Sequence, residues 1–112
     1  MSGSEKTLND YVGCKWDNGI AKEIGWNINE STNEATIVFP TKEIPECYNQ
    51  ATSADITITI QVTDGLVQEI ACSFTMYNMH AGLEKSWGIN PFSLAPVDKA
   101  KALAILEKTT AL

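Results

Sequence analysis

The chain has no arginine, a single histidine, His80, and only three cysteines in 112 residues. Without guanidinium forks it has no bidentate grip for phosphates or carboxylates. Eight lysines against fourteen acidic residues give a net charge of −6. A nucleic-acid partner is therefore excluded, because no basic face is present to displace counterions. The longest purely apolar run, Ala102 to Leu106, is far short of the ~20 residues that span a bilayer as a helix. No membrane partner is expected. Cys14, Cys47 and Cys72 are odd in number and widely spaced, and one histidine cannot complete a Cys2His2 set. Neither a metal site nor a disulfide framework is expected. No phosphate loop or nucleophile elbow occurs, so no cofactor is implied. The opening residues carry no apolar stretch of a secretion signal, which makes a reducing cytoplasm the expected location.

What is present is an ordinary globular balance, 44% hydrophobic and 20% charged, with no repeat or linker to divide it. Residues 1–112 are expected to form one domain. Apolar residues alternate with the two-residue period of half-buried strands in five segments: Tyr11–Trp16, Ile20–Asn29, Glu34–Pro40, Ala54–Val62 and Leu66–Tyr77. Cys14 and Cys72 fall on the apolar faces, where a free cysteine is usually an inert core residue.

Cross-strand partners must share a face, so turn lengths can be tested against the pattern. A three-residue turn, Thr63-Asp64-Gly65, pairs Ile60 with Gln68 and Ile58 with Ile70; a two-residue loop would pair Ile60 with Glu69, core with solvent. Asp17-Asn18-Gly19 reads the same way and pairs Trp16 with Ile20. A four-residue loop, Glu30–Asn33, pairs Trp26 with Ile37.

Pro96 to Lys108 carries the strongest helical signal, with Pro96 and Asp98 suited to its start and Lys108 to its end. Val97, Ala100, Leu103, Ala104 and Leu106 are expected to face the sheet. Thr7 to Asp10 resembles a capping box and marks a short helical turn. The fold class that follows is α+β: an antiparallel β-meander of about five strands, a curled sheet or partial barrel, packed on a C-terminal helix. Residues 1–10 form the entry segment, 11–77 the meander, 78–95 a long loop and 96–108 the helix.

Near the first strand, Gly13-Cys14-Lys15-Trp16 resembles the Gly-x-Trp start of lipocalin-like barrels, with one residue too many between glycine and tryptophan. Five strands fall short of that family's eight-stranded closure, and no residue role is carried over.

In an up-down meander the turn Asp17–Gly19 and the loops Thr41–Ser53 and Asn78–Ala95 share one rim. Long loops in compact domains are uncommon and often functional. The ligand- or partner-binding candidates are Tyr48, Tyr77, His80, Glu84 and Trp87 on that rim, with Gln68 on an apolar face. Gln68 and Lys22 interrupt apolar faces and are read either as polar anchors in a cavity or as a bulge and a snorkelling lysine. His80 is the best catalytic candidate, because its ordinary pKa lies near neutrality, and Cys47 on the same rim is its conceivable thiol partner. Glu43, Glu46 and Glu84 lack regular cation-ligand spacing.

Two function classes follow. The first is a small, acidic, non-catalytic binding or regulatory protein, inhibitor- or immunity-like, steered by charge to a protein partner. The alternative is a small-molecule-binding domain, or a simple lyase or isomerase, with a pocket for a small apolar ligand between sheet and helix near His80. Scarcity of catalytic groups tilts the reading away from an enzyme. Strands one and five, as open edges, would also permit a homodimer.

Overall fold

A computed structural model describes residues 7–42, 44, 53–78, 83–90 and 93–111. The described residues form an α+β structure in which a curled antiparallel sheet wraps a C-terminal helix. After a 3-10 turn, Leu8–Tyr11, come β1 (Lys15–Trp16), α1 (Asn18–Ile24), β2 (Asn27–Asn29), β3 (Glu34–Pro40), β4 (Ser53–Thr63) and β5 (Leu66–Asn78). They are followed by β6 (Leu83–Ile89), α2 (Pro96–Thr109) and β7 (Thr110–Ala111). The sheet runs β2-β3-β4-β5-β1-β7, with β6 beside β5.

The centre of the sheet follows from β4. Its isoleucines alternate with threonines and glutamine, a β-branched run that suits a pleated surface with one buried face. Ile56, Ile58 and Ile60 are all buried, while Thr57, Thr59 and Gln61 on the other face are half-exposed. Those isoleucines pair across with Phe39, Ile37 and Ala35 of β3, and with Phe74, Cys72 and Ile70 of β5.

The β4–β5 connection departs from the expected register. Asp64 (φ 53°) and Gly65 (φ 74°) both take positive φ, the backbone of a two-residue hairpin turn that fits strand twist. Val62 then pairs with Val67, and the register shifts so that Gln61 meets Glu69 and Ile60 meets Ile70. Gln68 is the extra residue of a β-bulge. The bulge lets Val67 take the buried place and turns Gln68 to solvent. The sequence offered two turn lengths; the molecule uses the short one and restores the face with the bulge.

The second expected strand is largely a helix. Asp17 Oδ1 accepts the Ile20 N–H at 3.0 Å, an N-cap, and Gly25 (φ 122°) ends the helix with its N–H on the Ala21 carbonyl. Asp17 therefore starts α1 instead of turning a hairpin, and Trp16 does not pair with Ile20. Only Asn27–Asn29 remains strand, in the predicted register: Asn27 with Thr36, Ile28 with Ala35, Asn29 with Glu34. Tyr11 belongs to the 3-10 turn, which Thr7 N–H closes by donating to Asp10 Oδ2 at 2.7 Å. β5 is no open edge, because β4 borders one side and β6 and β1 the other.

α2 buries Leu106 and packs Leu103 against the core as expected, but it is rotated away from the rest of the expected apolar stripe. Its buried residues are Asp98, Ala102, Leu106 and Thr109; Val97 is 55% exposed, and Ala100 and Ala104 face solvent. Two buried polar contacts decide this rotation. Asp98 accepts from Thr41 Oγ1 (2.5 Å) and the Lys42 N–H (3.0 Å) at one end. At the other, Thr109 Oγ1 accepts from Trp26 Nε1 (3.2 Å) and donates to the Ile105 carbonyl (2.8 Å). Trp16 meets Trp26 edge-on, ring centroids 5.0 Å apart, against this end of the helix.

Thr109→Val strips the buried Trp26 N–H of its acceptor and is expected to cost about 1–3 kcal/mol in urea unfolding. Thr109→Ser keeps the hydroxyl and loses one methyl, so its expected cost is under ~1 kcal/mol. A smaller loss for Thr109→Val than for Thr109→Ser would show that the methyl, not the hydrogen bond, secures the helix.

Candidate functional site

The inward faces of β4, β5 and β6 continue past the N-terminal half of α2, and there the packing opens. A cavity of about 680 Å³ lies between Ile56 of β4, Phe74 of β5, Trp87 and Ile89 of β6, and Ala95 and Asp98 at the helix start. Thr41, Lys42 and Ile44 close it from the segment after β3, and Ser93 and Leu94 from the segment before α2. Its size falls within the ~300–1,000 Å³ of ordinary small-molecule sites.

Each wall has a local cause. Phe74 and Trp87 are cross-strand partners with ring centroids 5.0 Å apart, so the β5–β6 pairing presents a continuous aromatic surface. Trp87 and Ile89 are only half-buried, whereas Ile56 and Phe74 beneath them are buried. Of the polar lining, Thr41, Lys42, Ser93 and Asp98, only Asp98 is buried, at 2% exposed. As a carboxylate in the first turn of α2 it complements the helix dipole, and its two hydrogen bonds tie the Thr41–Lys42 segment to the helix. An ionised carboxylate has roughly four acceptor positions, so those bonds leave it further capacity.

Of the candidates named from sequence, Trp87 lines the cavity. Tyr48 and His80 lie outside the described residues, as do Glu43, Glu46 and Cys47. Gln68, on its bulge, and Lys22, on α1, are both exposed and away from the cavity, so neither is its polar anchor. Tyr77 and Glu84 are opposed on β5 and β6, and Thr75 and Ser86 share a 2.8 Å hydroxyl contact two pairs along. They occupy the outer face of the hairpin, opposite Phe74 and Trp87. Partial burial raises the Tyr77 pKa, and the carboxylates of Asp55 and Glu84 push it in the same direction.

The shared rim is also redrawn. The segments after β3 and before α2 do converge, but residues 83–89 of the supposed long loop form β6. Asp17 and Asn18 lie at the other end of the sheet. There β1 meets the start of β5, and Asn18 lines a small cleft of about 60 Å³ with Trp16, Asn33 and Val62. Sequence reasoning missed Asp98 as a site residue because its role depends on Thr41, far away in the chain; its place in the first helical turn was the only local signal. Among the described residues no group of three His, Cys, Asp or Glu side chains gathers to hold a metal ion.

Cys14 and Cys72 are free and buried, as their faces imply. Burial pushes the Cys72 thiol up to about 11, from an ordinary value of 9.0. The folded state therefore holds this proton over a pH range where the unfolded chain releases it. Its stabilising contribution is complete below the unfolded value and is lost as pH rises toward the folded one. Stability should fall between pH 9.0 and about 11, and Cys72→Ala should flatten that slope in unfolding curves taken across the window. An unchanged slope would remove the thiol from the account.

No family model, curated protein or solved structure matches the chain.

Proposed function

We propose that the protein is a small-molecule-binding domain whose site is the cavity between the sheet and the N-terminal half of α2. The observation that carries this reading is the cavity itself, with an aromatic and aliphatic floor from the sheet, a polar edge of Thr41, Lys42 and Ser93, and one buried carboxylate. Apolar lining with a few placed polar groups is the composition of ordinary ligand sites, where the walls supply affinity and the polar group fixes orientation. Leaving Trp87 and Ile89 half-exposed beside a packed core forgoes apolar burial that a ligand would restore. The acidic balance points elsewhere, to a basic protein partner. Yet the exposed carboxylates are spread along the chain, from Asp10 through Glu23, Asp64 and Glu84 to Glu107, and the cavity is the more specific feature.

A neutral, solvatochromic probe, N-phenyl-1-naphthylamine, tests the reading directly. Its emission is expected to rise and shift to the blue with the protein. Trp87→Ala, which removes a wall without touching the Asp98 contacts, should weaken binding by roughly tenfold or more. Val97→Ala, on the exposed side of the same helix, should leave it unchanged. A probe that ignores the protein, or binds both variants alike, overturns the cavity as the site.

A further inference from the structure

We infer that the cavity selects organic cations, an arylalkyl ammonium group in chemical class, with the ammonium on Asp98 and the apolar body against Phe74 and Trp87. The inference rests on the ligand-binding reading above and adds the charge of the ligand to it. Three observations carry it. First, the only buried side chain of formal charge among the described residues is Asp98, and it forms part of the cavity wall. Burying a carboxylate is costly unless it is hydrogen-bonded or paired. Here it has two donors among the described residues, one hydroxyl and one backbone N–H, and neither carries a charge.

Second, the opposite wall is aromatic. Phe74 and Trp87 present their rings together, and an ammonium group beside such a surface gains from the ring quadrupole as well as from apolar contact by its chain. The fold already uses this pairing where the Lys101 ammonium sits 5.2 Å from the centre of the Phe39 ring. Third, the net charge of −6 raises the local concentration of cations around the molecule and disfavours anions. Lys42 also lines the cavity; its backbone N–H is spent on Asp98, and the residue is exposed. The buried charged residue of the lining is therefore the anionic one and the exposed charged residue the cationic one, an order that suits a cation entering head-first.

The test is displacement of N-phenyl-1-naphthylamine by three competitors with matched phenylalkyl chains: 4-phenylbutylamine, 4-phenyl-1-butanol and 4-phenylbutyrate. The amine is expected to compete about tenfold better than the alcohol, with the acid weakest. Asp98→Asn should collapse the amine-to-alcohol ratio toward one while the probe still binds. If that variant does not fold, wild-type protein in about 0.5 M salt serves instead, because screening removes a preference due to surface charge and spares one due to a buried contact. Equal affinities for amine and alcohol would overturn the cation inference and leave the binding site standing. So would an amine preference that survives in Asp98→Asn or vanishes in salt, or an acid that competes best. Failure of the probe to bind at all would remove the site itself.

Discussion

Everything in this structure depends on how α2 is held. Two side chains on one face of the helix, Asp98 and Thr109, lie ~16 Å apart along its axis at the usual rise per residue. Each accepts hydrogen bonds from a different part of the sheet layer: Asp98 from Thr41 and Lys42 after β3, Thr109 from Trp26 before β2. Apolar packing is non-directional and tolerates sliding or rotation; a hydrogen bond inside a core does not, since breaking it strands a buried polar group. The two contacts together fix the rotation and the axial position of α2 over the concave face. The choice is visible in what was given up: Val97, Ala100 and Ala104 stay in water so that a carboxylate and a hydroxyl can go in.

The same constraint organises the chain's ends. The Asp17 N–H donates to the Thr109 carbonyl, and β7 then pairs with β1, Lys15 with Ala111 and Trp16 with Thr110. Trp16, packed edge-on against Trp26, is thereby held between α1, β1 and the end of α2. Local signals and long-range contacts agree here: Asp17 caps α1 with its side chain while its backbone ties α1 to α2.

How much of this was readable depended on whether the determinant was local. β3, β4 and β5 were plain, because their β-branched residues alternate over long runs and one face of each is buried. The site of the Glu30–Asn33 turn and its register followed for the same reason. Two signals were local but misassigned. Ile20, Ile24, Trp26 and Ile28 suggest alternation, but only Ala21 of the helical residues is fully buried, and the bracket of Asp17 and Gly25 states a capped helix. Gln68 looked like a polar intrusion into an apolar face because a β-bulge is invisible to a strict period of two. β6 was lost because Glu84, Lys85, Ser86 and Gly88 dilute a pattern that only Trp87 and Ile89 carry. The Asp98–Thr41 contact could not be read at all: no spacing rule connects a residue after β3 to one in the last helix. The rim argument came nearest, by bringing those two segments together without naming the atoms.

The cavity follows from a gradient of side-chain size along the inward face of α2. Toward its C-terminus Leu106 is fully buried and Thr109 meets Trp26, which packs on Trp16, and the interior closes. Toward its N-terminus the inward positions are Ala95, Asp98 and Ala102, short side chains opposite a sheet surface that still presents Ile56, Phe74, Trp87 and Ile89. Large residues there would fill the gap and add apolar burial, because close-packed interiors gain from every contact. A chain selected for stability alone would close this end as it closes the other. Keeping it open, with a charged group in the wall, forgoes that gain, and the ligand proposed above would return it. The helix thus has two ends with two tasks: the one at Thr109 holds the sheet together, and the one at Asp98 holds a space apart.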